Sequence, residues 1–125
     1  MIVDTNALSA AADDDPAVIA ILARADQMTI PVIVLGEYRY GIARSRHSEV
    51  YENWLASLLR DCAVLDINEP TTQHYAEIIL ELRQKGKPIP TNDLWIAALC
   101  RQHSLPLLSR DRHFDQVAGL KRAGW

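Results

Sequence analysis

The feature that most constrains this chain is the brevity and spacing of its apolar runs. Met1 to Val3, Met28 to Ile30, Cys62 to Leu65 and Leu107-Leu108 are each only two to four residues long. Segments with helical patterning separate them. Short apolar strands alternating with helices indicate an α/β domain with a parallel sheet covered on both faces. Sheets of that kind place their sites at the carboxyl ends of strands. Two acidic motifs fall at such ends, Asp4 after the first run and Asp111 after the fourth.

The intervening segments carry helix signals. Leu8 to Ala12 favours helix, and Asp15 can cap a second helix with Pro16 at its first position, running to about Arg24. Pro31 opens a helix with Val34, Leu35, Tyr38 and Ile42 at helical spacing. A further helix is expected from Ser48 to Arg60. Asn68 can cap one from Glu69 to Lys85, closed by Gly86. Lys87-Pro88-Ile89-Pro90 reads as a rigid extended connection, after which Thr91 or Asn92 caps a helix from Asp93 to about His103. Phe114 to Trp125 is expected to give a short helix and a final edge strand. The sheet then has four to five strands, and residues 1–125 form a single domain.

Composition removes several function classes. The formal net charge is -3, which argues against non-specific nucleic-acid binding through a basic surface. An enzyme that holds nucleic acid through a bound cation needs less positive charge. Cys62 and Cys100 are far apart and lack metal-ligand or redox spacing, so both read as buried thiols in a reducing compartment. The N-terminus lacks a signal-peptide pattern, and no apolar run approaches the roughly 20 residues of a membrane span. A cytoplasmic location is expected.

The informative set is Asp4, Glu37, Asp93 and Asp111. Each alone has an ordinary explanation. Asp4 and Asp93 suit helix starts, Asp111 suits a turn, and Glu37 suits a solvated helix face or an ion pair with Arg39 or Arg44. If the four meet, the physics changes. Two like charges about 4 Å apart repel by roughly 4 kcal/mol at an effective dielectric of about 20. Either some protonate or a cation fills the gap. Oxygen-only ligands select a hard ion, Mg²⁺ or Mn²⁺.

The order of motifs carries a resemblance. V-D-T-N at the start, L-G-E-Y-R-Y-G, T-N-D-L-W-I-A-A and L-L-S-R-D-R-H-F resemble the PIN-domain family, specifically VapC-type ribonuclease toxins of toxin–antitoxin pairs. The resemblance spans essentially the whole chain. It implies a three-layer α/β/α fold and a Mg²⁺-dependent endoribonuclease, with Mn²⁺ as a substitute. Position by position, it implies catalytic roles for Asp4, Glu37, Asp93 and Asp111. Asp4 and Asp93 would hold the metal, with Glu37 and Asp111 acting through water or a second ion. Asn6 and Ser109 would orient carboxylates, Ser109 standing where the family more often has threonine. A water activated by the metal would attack the RNA phosphodiester. The implied partners are RNA, a VapB-type antitoxin and a second copy of the chain, with no membrane.

Other readings bear on the same residues. Asp115 competes with Asp111 for the fourth acidic position. His113 stands near Asp111 and could touch substrate, whereas His47, His74 and His103 read as surface or helix-end groups. Arg39, Arg44, Arg46, Arg110 and Arg112 suit either phosphate contacts or a solvated face. Tyr51 and Trp54 read as mostly core. The main alternative function is a non-catalytic PIN-like module that binds RNA or regulates a partner.

Overall fold

The computed structural model describes residues 1–125. Its elements run β1 (Ile2–Val3), α1 (Thr5–Ala12), α2 (Pro16–Ala23), β2 (Thr29–Pro31), α3 (Val32–Ala43) and α4 (Ser48–Leu58). They continue with β3 (Ala63–Leu65), α5 (Glu69–Gln84), α6 (Thr91–His103), β4 (Leu107–Leu108), a 3₁₀ turn (Arg112–Gln116) and β5 (Arg122–Ala123). The sheet has the order β3-β2-β1-β4-β5, and every pair is parallel. The chain steps outward from β1 through β2 to β3, then crosses back to lay β4 on the other side of β1. Right-handed crossovers put α1 to α4 on one face and α5 and α6 on the other. The result is a three-layer α/β/α arrangement.

Burial follows from that layering. Ile2, Val3, Ile30, Leu107 and Leu108 are fully buried, because the central strands have helices on both sides. Ile96 to Cys100 of α6 are buried at every position, so this helix is enclosed all round rather than amphipathic. Ala97 and Ala98 keep that close approach free of bulk. Each buried Leu or Ile contributes on the order of 1.5–3 kcal/mol.

Several boundaries differ from the sequence-based expectation, each for a local reason. α1 begins at Thr5 rather than Leu8, because Asp4 occupies the cap position. β2 extends through Pro31, which pairs with Leu65. A proline is tolerated at that strand end because its missing N–H costs the ladder little there. Pro90, not Thr91 or Asn92, is the N-cap of α6. The extended Pro88-Ile89-Pro90 segment turns directly into helix, which moves Asp93 to the third helical position. Cys62 is half-buried, whereas Cys100 is buried. Burial pushes the Cys100 thiol up to about 12, which makes it a packing group rather than a nucleophile.

α5 is fixed at both ends. The Asn68 carboxamide accepts from the Thr71 N–H at 3.3 Å, and the Thr71 hydroxyl accepts from the Asn68 N–H at 3.1 Å, forming a reciprocal cap. At the other end Gly86 takes φ +66°, which a glycine adopts without a Cβ penalty. Asn68→Ala is expected to lose about 1 kcal/mol, within the roughly 0.5–2 kcal/mol range for such caps. Urea unfolding of the variant beside the parent checks this; an unchanged midpoint would show that α5 is held by packing alone.

Candidate active site

The strand order reverses at β1 and β4, so a crevice opens beyond their carboxyl ends. The register pairs Val3 with Leu108, and the Asp4 N–H donates to the Leu108 carbonyl at 3.0 Å. Asp4 and Ser109 therefore leave the sheet side by side. Around them lies an open basin of about 680 Å³ with no hydrophobic residue in its lining. Asp4, Glu37, Asp93 and Asp111 all face it. Four separate stretches of chain thus deliver their acids to one place: the β1 end, the β4 end, α3 and the start of α6.

Asp4 is the most constrained of the four, with 3% of its surface exposed. Its Oδ1 accepts from the Thr5 N–H at 2.8 Å. Its Oδ2 accepts from the Ser109 hydroxyl at 2.6 Å and from the Asn6 amide at 3.2 Å. Asn6 also donates to Asp111 Oδ2 at 3.1 Å, while its own Oδ1 accepts from the Arg110 N–H at 3.1 Å. Ser109 Oγ accepts from the Asp111 N–H at 3.0 Å. Asn6 and Ser109 together clamp Asp4 against Asp111. Glu37 accepts from the Thr5 hydroxyl at 3.2 Å, and it forms no ion pair with Arg39 or Arg44. Arg44 lies over the Tyr40 ring instead.

The electrostatics are those of crowded acids. Burial raises the Asp4 carboxyl above its ordinary range, with the Asp111 charge adding to it and hydrogen bonds from Ser109 and Thr5 opposing. Burial also raises Glu37, and the charges of Asp4 and Asp93 push it the same way. Asp93 is raised by burial and by Asp4, against a lowering pull from His113. No α6 side chain caps its first turn, so the free N–H groups there leave a positive end near Asp93.

Two of the expected alternatives resolve clearly. Asp115 lies outside the basin, bound to Arg122 through both carboxylate oxygens at 2.8 and 3.0 Å. Arg110 sits over the Trp125 ring and 3.5 Å from Asp15. His113, which the sequence places near Asp111, where it could touch substrate, lies against a second acid. Its Nε2 is 2.7 Å from Asp93 Oδ2, and ligand atoms of Asp93, Asp111 and His113 lie within 4.8 Å of one another. The signal for it was its place two residues after Asp111, but the closeness of Asp93 is a tertiary fact. Tyr51 is half-buried rather than core, and its hydroxyl donates to Asp13 at 2.7 Å.

Comparisons with known proteins agree with this arrangement. The PIN domain family matches residues 1–120. Ribonuclease VapC2 of Haemophilus influenzae (strain Rd) is 33% identical over 106 residues, covering 81% of this chain and 77% of that protein. Ribonuclease VapC2 of Rickettsia felis is 30% identical over 106 residues, covering 84% and 79%. The crystal structure of VapBC2 from Rickettsia felis bound to a DNA fragment from their promoter superposes with a TM-score of 0.86 at 28% identity, covering 99% of this chain and 97% of that one. The chain belongs to the PIN-domain family, in its VapC group.

The raised acids set a pH dependence with a definite sign. A carboxyl raised on folding binds its proton more tightly in the native state, so stability falls as pH rises from 3.8 through the raised Asp93 value. Asp93→Asn removes that loss. In chelator, the variant is expected to melt close to the parent in acid and a few degrees above it at neutral pH. Saturating divalent cation should reverse the order at neutral pH by stabilising the parent alone. Thermal unfolding across pH checks this, and a variant that melts below the parent in chelator at neutral pH would contradict it.

Proposed function

We propose that this chain is the toxin of a VapBC-type pair, an endoribonuclease that requires a divalent cation, with residues 1–125 acting as one nuclease domain. The observation that carries the proposal is the convergence of Asp4, Glu37, Asp93 and Asp111 on one polar basin at the strand-order reversal. Membership of the VapC group supports RNA as the substrate.

The residues fit a hard cation. The donors are carboxylate oxygens, and their proton affinity is raised first by burial and then by one another's charge. Asp4 and Asp93 would hold Mg²⁺, or Mn²⁺ in its place, with Glu37 and Asp111 acting through water or a second ion. A divalent ion there would neutralise charge on the phosphodiester and make water more acidic. Asn6 and Ser109 fix the Asp4 and Asp111 oxygens before any ligand arrives, so little reorganisation is needed. Glu37, held by the Thr5 hydroxyl and by Asn92, faces the basin and would take the proton of the attacking water. Water oxygen bonds to phosphorus, the bond from phosphorus to the leaving ribose oxygen breaks, and that oxygen is protonated. No side chain forms a covalent intermediate.

The same reading supplies the partners. A VapB-type antitoxin would cover the acidic basin, with a basic side chain meeting the acids. A second copy of the chain would complete a homodimer. No helix is long and apolar enough to cross a membrane, and the proposed site of action is the cytoplasm.

The decisive experiment is cleavage of a structured RNA pool by purified protein with Mg²⁺, with EDTA, and with Asp93→Asn. Site-specific cuts that require both the ion and Asp93 are the expected outcome. Undiminished cutting by a folded, metal-clean Asp93→Asn protein would overturn the proposed role. Absence of cutting by folded, antitoxin-free parent would favour the non-catalytic module. Asn6→Ala should cut about 10–100-fold more slowly, the usual loss when a group that orients ligands is removed. Single-turnover rates at saturating Mg²⁺ measure this, and a rate equal to the parent's would remove Asn6 from the site.

A further inference from the structure

His113 has a geometry that the four-acid reading does not use. The 3₁₀ turn that follows Asp111 is pinned by Phe114, which is fully buried. The His113 ring rests against Phe114 with centroids 4.8 Å apart. That packing holds Nε2 against Asp93 at the basin's edge, where the atom is sealed from solvent. It lies 2.7 Å from Asp93 Oδ2, in ion-pair range, and this contact pulls the Asp93 carboxyl down against the burial that raises it. A nitrogen lone pair and a carboxylate oxygen at that distance repel unless positive charge sits between them or beside both. A proton shared by the pair is one source of that charge. A cation bound by both is another, since two atoms each about 2.1 Å from one small octahedral ion sit roughly 3 Å apart. The Asp111 carboxylate completes the cluster, with all three ligand atoms within 4.8 Å of one another.

We infer that His113 is a nitrogen ligand to the cation bound at Asp93, beside Asp111, and that it shifts the site's preference from Mg²⁺ toward Mn²⁺ and Co²⁺. The inference rests on the proposed cation site and adds a donor to it. The chemical reason is ligand softness. Mg²⁺ favours oxygen and water, whereas imidazole gains affinity along the series from Mn²⁺ to Co²⁺. An all-carboxylate basin lacks that bias.

Isothermal calorimetry of the purified protein with Mg²⁺, Mn²⁺ and Co²⁺ tests it, using the parent, His113→Ala and His113→Gln. Circular dichroism confirms that each variant is folded. Loss of His113 is expected to weaken Co²⁺ binding at least about tenfold and Mn²⁺ by a smaller factor, with Mg²⁺ changed by less than about threefold. The visible spectrum of the Co²⁺-loaded parent should also differ from that of both variants. Equal losses for all three ions would make His113 a positioning group for Asp93, and unchanged affinities would remove it from the site; either result overturns the inference and leaves the proposed nuclease standing. A parent that binds none of the ions would overturn both.

Discussion

The parallel pairing of β1 with β4 is the constraint on which the rest depends. Only two residues of each strand are paired, but the bond from the Asp4 N–H to the Leu108 carbonyl and the Ser109–Asp4 side-chain contact lock the register just past the strand ends. A shift by one residue would turn every side chain to the opposite face. That register sets Asp4 beside Ser109, across a sequence separation of 105 residues. The Ser109 hydroxyl and the Asn6 amide then tie the ends of both strands into one polar unit. The basin exists because the chain places β4 against β1 after going out to β3 and back.

Acids are gathered there against their mutual repulsion. Asp4 tolerates near-complete burial because three donors meet its oxygens. Glu37 and Asp93 are more open, and each has its proton affinity raised by burial and, further, by the neighbouring acids. The hydrophobic core supplies the rigidity that holds them close, above all through α6, which is enclosed from Ile96 to Cys100. The negative basin and the net charge of -3 also explain why a basic surface is not the means of engaging RNA in the proposed function. Positive charge would enter with the cation, at the point where a phosphate must be held.

Much of the fold was legible because its signals are local. Asp15-Pro16, Asn68 and Gly86 mark helix ends through their own backbone and side-chain chemistry, and the structure uses all three in that way. The four short apolar runs became strands, and the final segment gave a short 3₁₀ helix, starting two residues earlier than expected, and the expected edge strand. The misreadings cluster at boundaries where two local preferences compete. Pro31 satisfies both a strand end and a helix cap, and Pro90 displaces the better capping residues Thr91 and Asn92 because the extended segment before it runs straight into the helix.

The sequence by itself pointed to the α/β class through periodicity and caps, which are properties of neighbouring residues, and to the family through motif order along the chain; it nominated the four acids. It did not determine which acids meet, or on what terms. Asp111 and Asp115 are equivalent as residue types four positions apart, and only the Arg122 guanidinium of β5 draws Asp115 away from the basin. His113 and Asp93 are brought together solely by the return of β4 to the side of β1 and by the packing of Phe114. Contacts between distant segments depend on register and crossover direction, which are settled by burying the whole sheet at once.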